Sequence, residues 1–375
     1  MRIAFFTVRM LLGNGVDLVI HELARRLVAD FGREVDVWTP TSDGTYDNEN
    51  YSLNKLTVYG NQWNKALPIL EFNAWLALRR LARSTGATGG GYDVVVPCAH
   101  PYYGAGRALG APSVFFNFGN VPTTGFSWKG KLNWAWMDFS EAWLHKPYAA
   151  KVVSISHFLH DKQSRDIQQR GCVLHLAGDH YSSGEPAAQR RAFRARLGVG
   201  DDEVLLGYCG RLFRNHPEYK GTHKLLELGQ RLHARDPRVK LVLCGIGDPP
   251  DAEWIAGEGA IPLLNHPVPE MPAFYDALDI YVCASRWEGF NLPIVEAAWH
   301  GVPSVAYDAG AHREHVTTVL VPDGDFDHLV AETAKLAGDA ELRWELALKA
   351  RKRAEQFSWD GVTAKFTEIL AEIAV

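Results

Sequence analysis

Cysteine is scarce in this chain of 375 residues. The five present, Cys98, Cys172, Cys209, Cys244 and Cys283, are odd in number and widely spaced, with no Cys-x-x-Cys pair. That excludes a disulfide framework and a paired-cysteine zinc site. Cys244 and Cys283 sit inside apolar runs, so the five are expected to be buried thiols in a reducing compartment. Long hydrophobic runs are also missing. The opening stretch Met1 to Val8 is too short for a signal-peptide core, and no segment reaches membrane-spanning length, so the expected location is cytoplasmic. Excess positive charge is absent as well: a net charge of -5 offers no general field for nucleic acid or anionic lipid. Neither nucleic-acid binding nor peripheral membrane contact is indicated. No repeat or low-complexity tract stands out, and 47% hydrophobic against 22% charged residues excludes a disordered chain.

What is present is an α/β pattern long enough for two hydrophobic cores, and two cores imply a cleft between them. Short apolar runs alternate with amphipathic segments, as in βαβ units that build a parallel sheet. The first half predicts strands at Arg2 to Thr7, Glu34 to Thr39, Asp93 to Pro97, Ser113 to Asn117 and Lys151 to Ile155, with a helix over Leu18 to Ala29. The second half predicts strands at Val204 to Cys209, Lys240 to Cys244, Ile280 to Cys283 and Pro303 to Tyr307. A polar stretch with Gly184 and Pro186, residues 180–189, reads as the linker. Strand ends with glycine or polar turns are where open α/β sheets bind ligands.

The most informative segment is Ser285-Arg286-Trp287-Glu288-Gly289-Phe290-Asn291-Leu292-Pro293-Ile294-Val295-Glu296-Ala297. Asn291 suits an N-cap, and Pro293 is tolerated in a first helical turn, so a helix is expected to begin near Leu292. Its free amides, with Gly289 beside them, would form an anion site. Glu296, one turn in, can accept hydrogen bonds from vicinal ribose hydroxyls, and Glu288 in the loop can reach the hydroxyls of a sugar.

Glu288 and Glu296, at that spacing within Glu-Gly-Phe-x-Leu-Pro-x-x-Glu-Ala, resemble the Glu-x7-Glu motif of retaining glycosyltransferase family 4, the glycosyl transferases of group 1. Gly210-Arg211, Lys220-Gly221, Cys244-Gly245-Ile246-Gly247-Asp248 and Tyr275 to Asp279 match that family in the same order. The resemblance implies the GT-B fold, two Rossmann-like domains facing each other across a cleft. It places an acceptor-binding domain at 1–179, a nucleotide-sugar-binding domain at 180–356 and a helix at 357–375 that returns to the first domain. It implies that Arg211 and Lys220 hold a donor diphosphate, with Gly210, Glu288, Gly289, Phe290, Asn291, Leu292 and Glu296 completing the donor site. Gly13-Asn14-Gly15-Val16-Asp17 matches more loosely, Asn14 standing where the family has a first glycine and Gly15 being the position of close backbone approach.

The expected reaction is retaining, metal-independent sugar transfer without an enzymic nucleophile or a resident cofactor. The nucleotide-diphosphate sugar is the co-substrate, and the acceptor is a sugar, a lipid-linked sugar or a natural product. Phe118 stands where many members carry a histidine. His100 is an alternative acceptor contact or a structural histidine. The aromatic stretch from Phe126 to Tyr148, with Trp134 and Trp136, is either core or an acceptor wall. Asp323-Gly324-Asp325 has metal-site spacing but precedes a helix that needs a cap, and Gly245-Ile246-Gly247 lacks the third glycine of a dinucleotide fingerprint. A nucleotide-sugar-binding protein without turnover and a Rossmann-type oxidoreductase are the rival readings.

Overall fold

The computed structural model describes residues 1–47, 50–56, 58, 67–85, 91–124, 126–181, 186–214, 218–314 and 318–374. The chain divides into two compact units: unit 1 is Met1–His175 with Asp360–Val375, and unit 2 is Leu176–Trp359. The expected divisions were 179/180 and 356/357. The polar stretch 180–189 is not where the chain passes from one unit to the other. Residues 182–185 of it lie outside the described residues, and Pro186 opens a helix, Pro186–Arg196.

Unit 1 carries β1 (Arg2–Phe6), β2 (Glu34–Thr39), β3 (Ser52–Lys55), β4 (Val94–Pro97), β5 (Val114–Asn117), β6 (Lys151–Ser154) and β7 (Cys172–Val173). They form two parallel sheets, β3-β2-β1-β4 and β5-β6-β7, joined by a parallel bridge from Val95 to Ser113. Helix Gly15–Ala29 buries Val19, Ile20, Leu23, Ala24 and Leu27, the three-and-four spacing of one helical face. From Asp360 onward the last helix, Trp359–Ile373, completes this unit. Its Phe366 ring lies 6.3 Å from that of Phe5 and 5.2 Å from that of Phe116.

Unit 2 carries β8 (Val204–Arg211), β9 (Val239–Ile246), β10 (Ile261–Leu264), β11 (Ile280–Cys283), β12 (Ser304–Tyr307) and β13 (Val319–Val321) in one sheet of order β10-β9-β8-β11-β12-β13. Every pairing in it is parallel, with β8 and β9 in register from Val204 opposite Val239 to Arg211 opposite Ile246. Buried Arg194 pins the sheet's entry side. It donates to the carbonyls of Ala277, Gly200 and Glu203 and pairs with Asp279.

The predicted strands all form, within two residues of the expected limits at each end. The four that were not expected, β3, β7, β10 and β13, are the outermost strands of their sheets. β3, Ser-Leu-Asn-Lys, has no apolar run, while β7, β10 and β13 are half-exposed apolar stretches of only two to four residues, β10 with Pro262 inside it, too short to stand out as strands. The thiols also differ from expectation. Cys98, Cys244 and Cys283 are buried, whereas Cys172 and Cys209 are only half-buried, Cys172 on an edge strand and Cys209 near the carboxyl end of β8. Among the described residues no helix is long and apolar enough to cross a membrane.

Candidate active site

The strand order of unit 2 reverses between β8 and β11, and a doubly wound sheet binds ligands beyond its carboxyl ends at such a reversal. Two glycines bring the loops there into close contact. A Cβ on Gly245, whose φ is +145, would lie 1.7 Å from the Gly210 carbonyl, so the ends of β8 and β9 approach only because residue 245 is a glycine. A Cβ on Gly221 (φ +70) would lie 2.4 Å from the Ala284 carbonyl, which lets the turn Glu218–Lys220 dock on the exit of β11. Arg286 N then donates to Tyr219 O at 2.8 Å and Ser285 Oγ to Lys220 O at 3.4 Å.

That docking sets Lys220 Nζ at 2.8 and 3.0 Å from the two carboxylate oxygens of Glu288. Burial works against the Lys220 ammonium, but the attraction of Glu288 outweighs it and holds the pKa above the usual lysine value. The Glu288 backbone is pinned in turn. Its carbonyl accepts from Ala311 N at 3.1 Å, and the chain at Gly310 (φ +61) passes so close that a Cβ there would lie 2.3 Å from that oxygen. Arg211 is exposed at the end of β8, and among the described residues it makes no ion pair.

Helix Leu292–Trp299 begins where expected, but Asn291 does not cap it with its side chain. Asn291 adopts a left-handed backbone, φ 75 and ψ 71, which points its amide away from the first turn. Asparagine tolerates that conformation better than most residues other than glycine. The Asn291 amide donates instead to His312 Nε2 at 2.9 Å and to Cys283 Sγ at 3.4 Å, while His312 Nδ1 donates to Tyr307 O at 2.7 Å. The helix start is therefore left without a side-chain cap. Gly289 and Phe290 are buried beneath it, Phe290 with its ring 6.2 Å from Phe357, and Leu292 is buried on the helix itself.

Glu296, one turn into the helix, is buried and accepts a hydrogen bond from Tyr275 Oη. Burial first, then the Glu296 charge, raises the Tyr275 pKa well above the usual tyrosine value, so this hydroxyl stays protonated and donates. His180 Nε2 lies 3.2 Å from Glu296 Oε1, and its Nδ1 accepts from Trp359 Nε1 at 3.0 Å, which leaves the ring proton on the nitrogen facing Glu296.

In unit 1, Gly15 is exposed at the first position of its helix, and the positive φ of that loop belongs to Gly13. Buried Asp17 closes the loop by accepting from Leu11 N at 3.0 Å, and burial pushes its carboxyl up to about 7. His100 follows β4, is buried, and faces Glu71 Oε2 at 3.5 Å. Glu71 also accepts from Trp136 Nε1 at 3.1 Å, from Ser140 Oγ at 2.7 Å and from His145 Nε2. Burial opposes the Glu71 charge, but these donors, His100 and His145 foremost, hold its carboxyl far below the usual range. His100 and Trp136 thus share one carboxylate, while Trp134 stacks on Phe126 at 6.1 Å. The stretch is not core. Helix Trp128–Phe139 buries no residue fully, and Trp128 and Trp143 are 72% and 69% exposed.

Asp325 caps helix Phe326–Gly338 by accepting from His328 N at 3.1 Å, and Asp323 pairs with Arg286. Among the described residues one trio, Cys283, Glu288 and His312, brings a ligand atom from each within 4.8 Å of the others. The fit to a cation is poor, since the Lys220 ammonium already occupies Glu288 and the Asn291 amide already occupies His312 Nε2. His312, Cys283, His180 and Asp17 had no assigned role in the sequence. Only the place of His312 just past a strand end signalled it. His216 and Pro217 lie outside the described residues.

Two family models match the chain, Glycosyltransferase Family 4 over residues 13–175 and Glycosyl transferases group 1 over residues 203–339. A D-inositol 3-phosphate glycosyltransferase of Geodermatophilus obscurus is 33% identical over 220 residues, 52% of this chain and 46% of its own length. That of Corynebacterium glutamicum is 31% identical over 206 residues, 50% of this chain and 48% of its own. The chain thus spans about half the length of the curated relatives it matches. Anabaena HepE, solved with UDP and glucose, superposes with a TM-score of 0.74 at 17% identity, covering 99% of each chain. A sucrose-phosphate synthase of Thermosynechococcus elongatus superposes with a TM-score of 0.76 at 16% identity, over 99% of this chain and 98% of its own. At such identities the likeness is one of fold.

Proposed function

The chain belongs to glycosyltransferase family 4 and has the GT-B fold, and from that premise we propose that it transfers a sugar from a nucleotide-diphosphate sugar to an acceptor hydroxyl, with retention and without a metal. The observation that carries this reading is the grouping at one sheet reversal of a lysine–glutamate pair, an exposed arginine and a helix start without a side-chain cap. Lys220 has three N–H donors, so it can keep Glu288 and still meet a phosphate oxygen. Arg211 and the open helix end add the rest of the positive field a departing diphosphate needs. Glu296 retains lone pairs for ribose hydroxyls, and Glu288 faces the sugar.

In the transfer the bond from the anomeric carbon to the diphosphate breaks and a bond to the acceptor oxygen forms on the same face. The acceptor proton passes to a donor phosphate oxygen, so positioning and charge stabilisation supply the rate. On the acceptor side the reading keeps His100, Trp134 and Trp136, two of them held by Glu71. The UDP and glucose bound by Anabaena HepE favour a uridine nucleotide sugar as the first donor to try, and the relatives' names favour inositol phosphate as one acceptor.

The test is a panel of nucleotide sugars screened for protection against thermal unfolding, because a bound donor stabilises by mass action. It is followed by assays for nucleoside diphosphate release in EDTA and by NMR of the product's anomeric configuration. Protection followed by release in EDTA and a retained anomer is expected. No protection by any nucleotide sugar defeats the reading, and protection without release makes the chain a binding protein. An inverted product or loss of activity in EDTA overturns the stereochemical or the metal-free part.

A further inference from the structure

Unit 1 leaves an apolar face uncovered. Among the described residues its exposed large apolar side chains all fall in two segments, the helix Leu67–Thr85 and residues 128–148. On the first, Phe72 and Trp75 are exposed with rings 6.1 Å apart. On the second, Trp128, Leu132 and Phe139 recur at spacings of four and seven, one stripe of a helix, and Trp143 follows in the next turn. Glu71 ties the segments together by taking hydrogen bonds from Trp136, Ser140 and His145, so the face is a braced platform. A cavity of about 160 Å³ opens between them, walled by Phe72, Trp75, Leu144 and Arg107.

The charges on this face are predominantly positive. Arg79, Arg80, Arg83, Lys129 and Lys131 are exposed on the two segments, and Arg107 is exposed beside them, over the ring of Tyr148. Asp138 is the one exposed carboxylate there among the described residues, since Glu71 is engaged and Glu141 is buried against Lys146. The whole chain carries -5, which hid this local excess in the average composition.

We propose that this face seats the protein on an anionic lipid surface. Tryptophan and phenylalanine ringed by lysine and arginine is the composition of segments that lie in a membrane interface, the rings at headgroup depth and the cations on lipid phosphates. A second copy of the chain is a poor occupant, because a two-fold contact would set the same cations against each other.

The test is flotation of the full chain with phosphatidylcholine vesicles, alone or mixed in equal parts with phosphatidylglycerol. Binding to the mixed vesicles is expected to be about tenfold or more above that to neutral ones and to fall with added salt. The paired changes Trp128→Ser with Trp143→Ser and Lys129→Glu with Lys131→Glu should each weaken it about tenfold. All four side chains are exposed, so melting should be unchanged, and the charge pair alone decides the matter if the tryptophan pair lowers it. Failure to float on mixed vesicles, or equal flotation of wild type and the charge variant, overturns the proposal. So does concentration-dependent self-association that the tryptophan changes abolish, which would make the face a contact between copies.

Discussion

The two units are built on the same plan and use it differently. Each is built of parallel strands, one sheet in unit 2 and two bridged sheets in unit 1, and the strand order reverses between β8 and β11 and between β1 and β4, with expected site residues beyond each reversal. Unit 2 gathers several buried polar groups at that point: Lys220 on Glu288, Tyr275 and His180 around Glu296, His312 on Asn291. Unit 1 gathers its largest buried polar cluster around Glu71, bracing helices whose outer face is left apolar. A shared topology therefore fixes where chemistry can sit, while the placement of partnered charges decides which unit is equipped to hold a ligand and which is left with an apolar surface.

The largest expected effect breaks the braced side of that comparison. Glu71→Ala strands the donors of His100, His145, Ser140 and Trp136, and stability measured by chemical denaturation should fall by about 3 to 5 kcal/mol with nucleotide affinity unchanged. A loss of nucleotide affinity that tracks the loss of stability would show that the units do not divide the work. Arg211→Ala is the converse. An exposed cation without an ion pair among the described residues adds little to folding, but its loss from the leaving diphosphate should cost about 10² to 10³ in kcat/KM. Equal rates for variant and wild type would make Arg211 a bystander.

A third test uses pH. Burial raises the Asp17 carboxyl to about 7 in the folded chain from 3.8, so the folded state holds its proton more tightly. Its contribution is complete below the unfolded value and is lost as pH rises to about 7, by as much as about 4 kcal/mol. Glu71, held low, acts with the opposite sign, stabilising above the ordinary carboxyl range and losing that as pH falls. Asp17→Asn should remove the extra stability at pH 5 relative to pH 8. An identical pH dependence in variant and wild type would sink this account. The smallest effect concerns Asn291. Asn291→Ala and Asn291→Gly both lose the contact with His312, but only alanine suffers the left-handed backbone, so it should be the less stable by about 1 kcal/mol. Equal melting of the two would show that the backbone there relaxes.

The same contrast explains what was legible beforehand. Strands buried on both faces announce themselves as apolar runs, and every such strand was predicted. Of the edge strands that were missed, β3 is polar, and β7, β10 and β13 are apolar over only two to four residues, too short to be told from a loop. In unit 2 the expected donor-site residues lie in short segments with strict spacing, Glu288 to Glu296 above all, because one helix turn and one loop must present them together. Gly245 and Gly221 are legible for a related reason, since close backbone contact admits nothing else.

The sequence by itself determined the parallel α/β plan, the family, and the lysine, arginine and glutamates to examine, because periodicity and motif spacing are local properties of the chain. Tertiary structure alone decided that Asn291 turns to His312 instead of capping its helix. It also decided that Glu71 gathers donors far along the chain, and that Trp128 and Trp143 face outward while Trp136 turns inward to Glu71. Those outcomes depend on which distant segments arrive beside a residue and remove it from water, and no pattern along the chain carries that information.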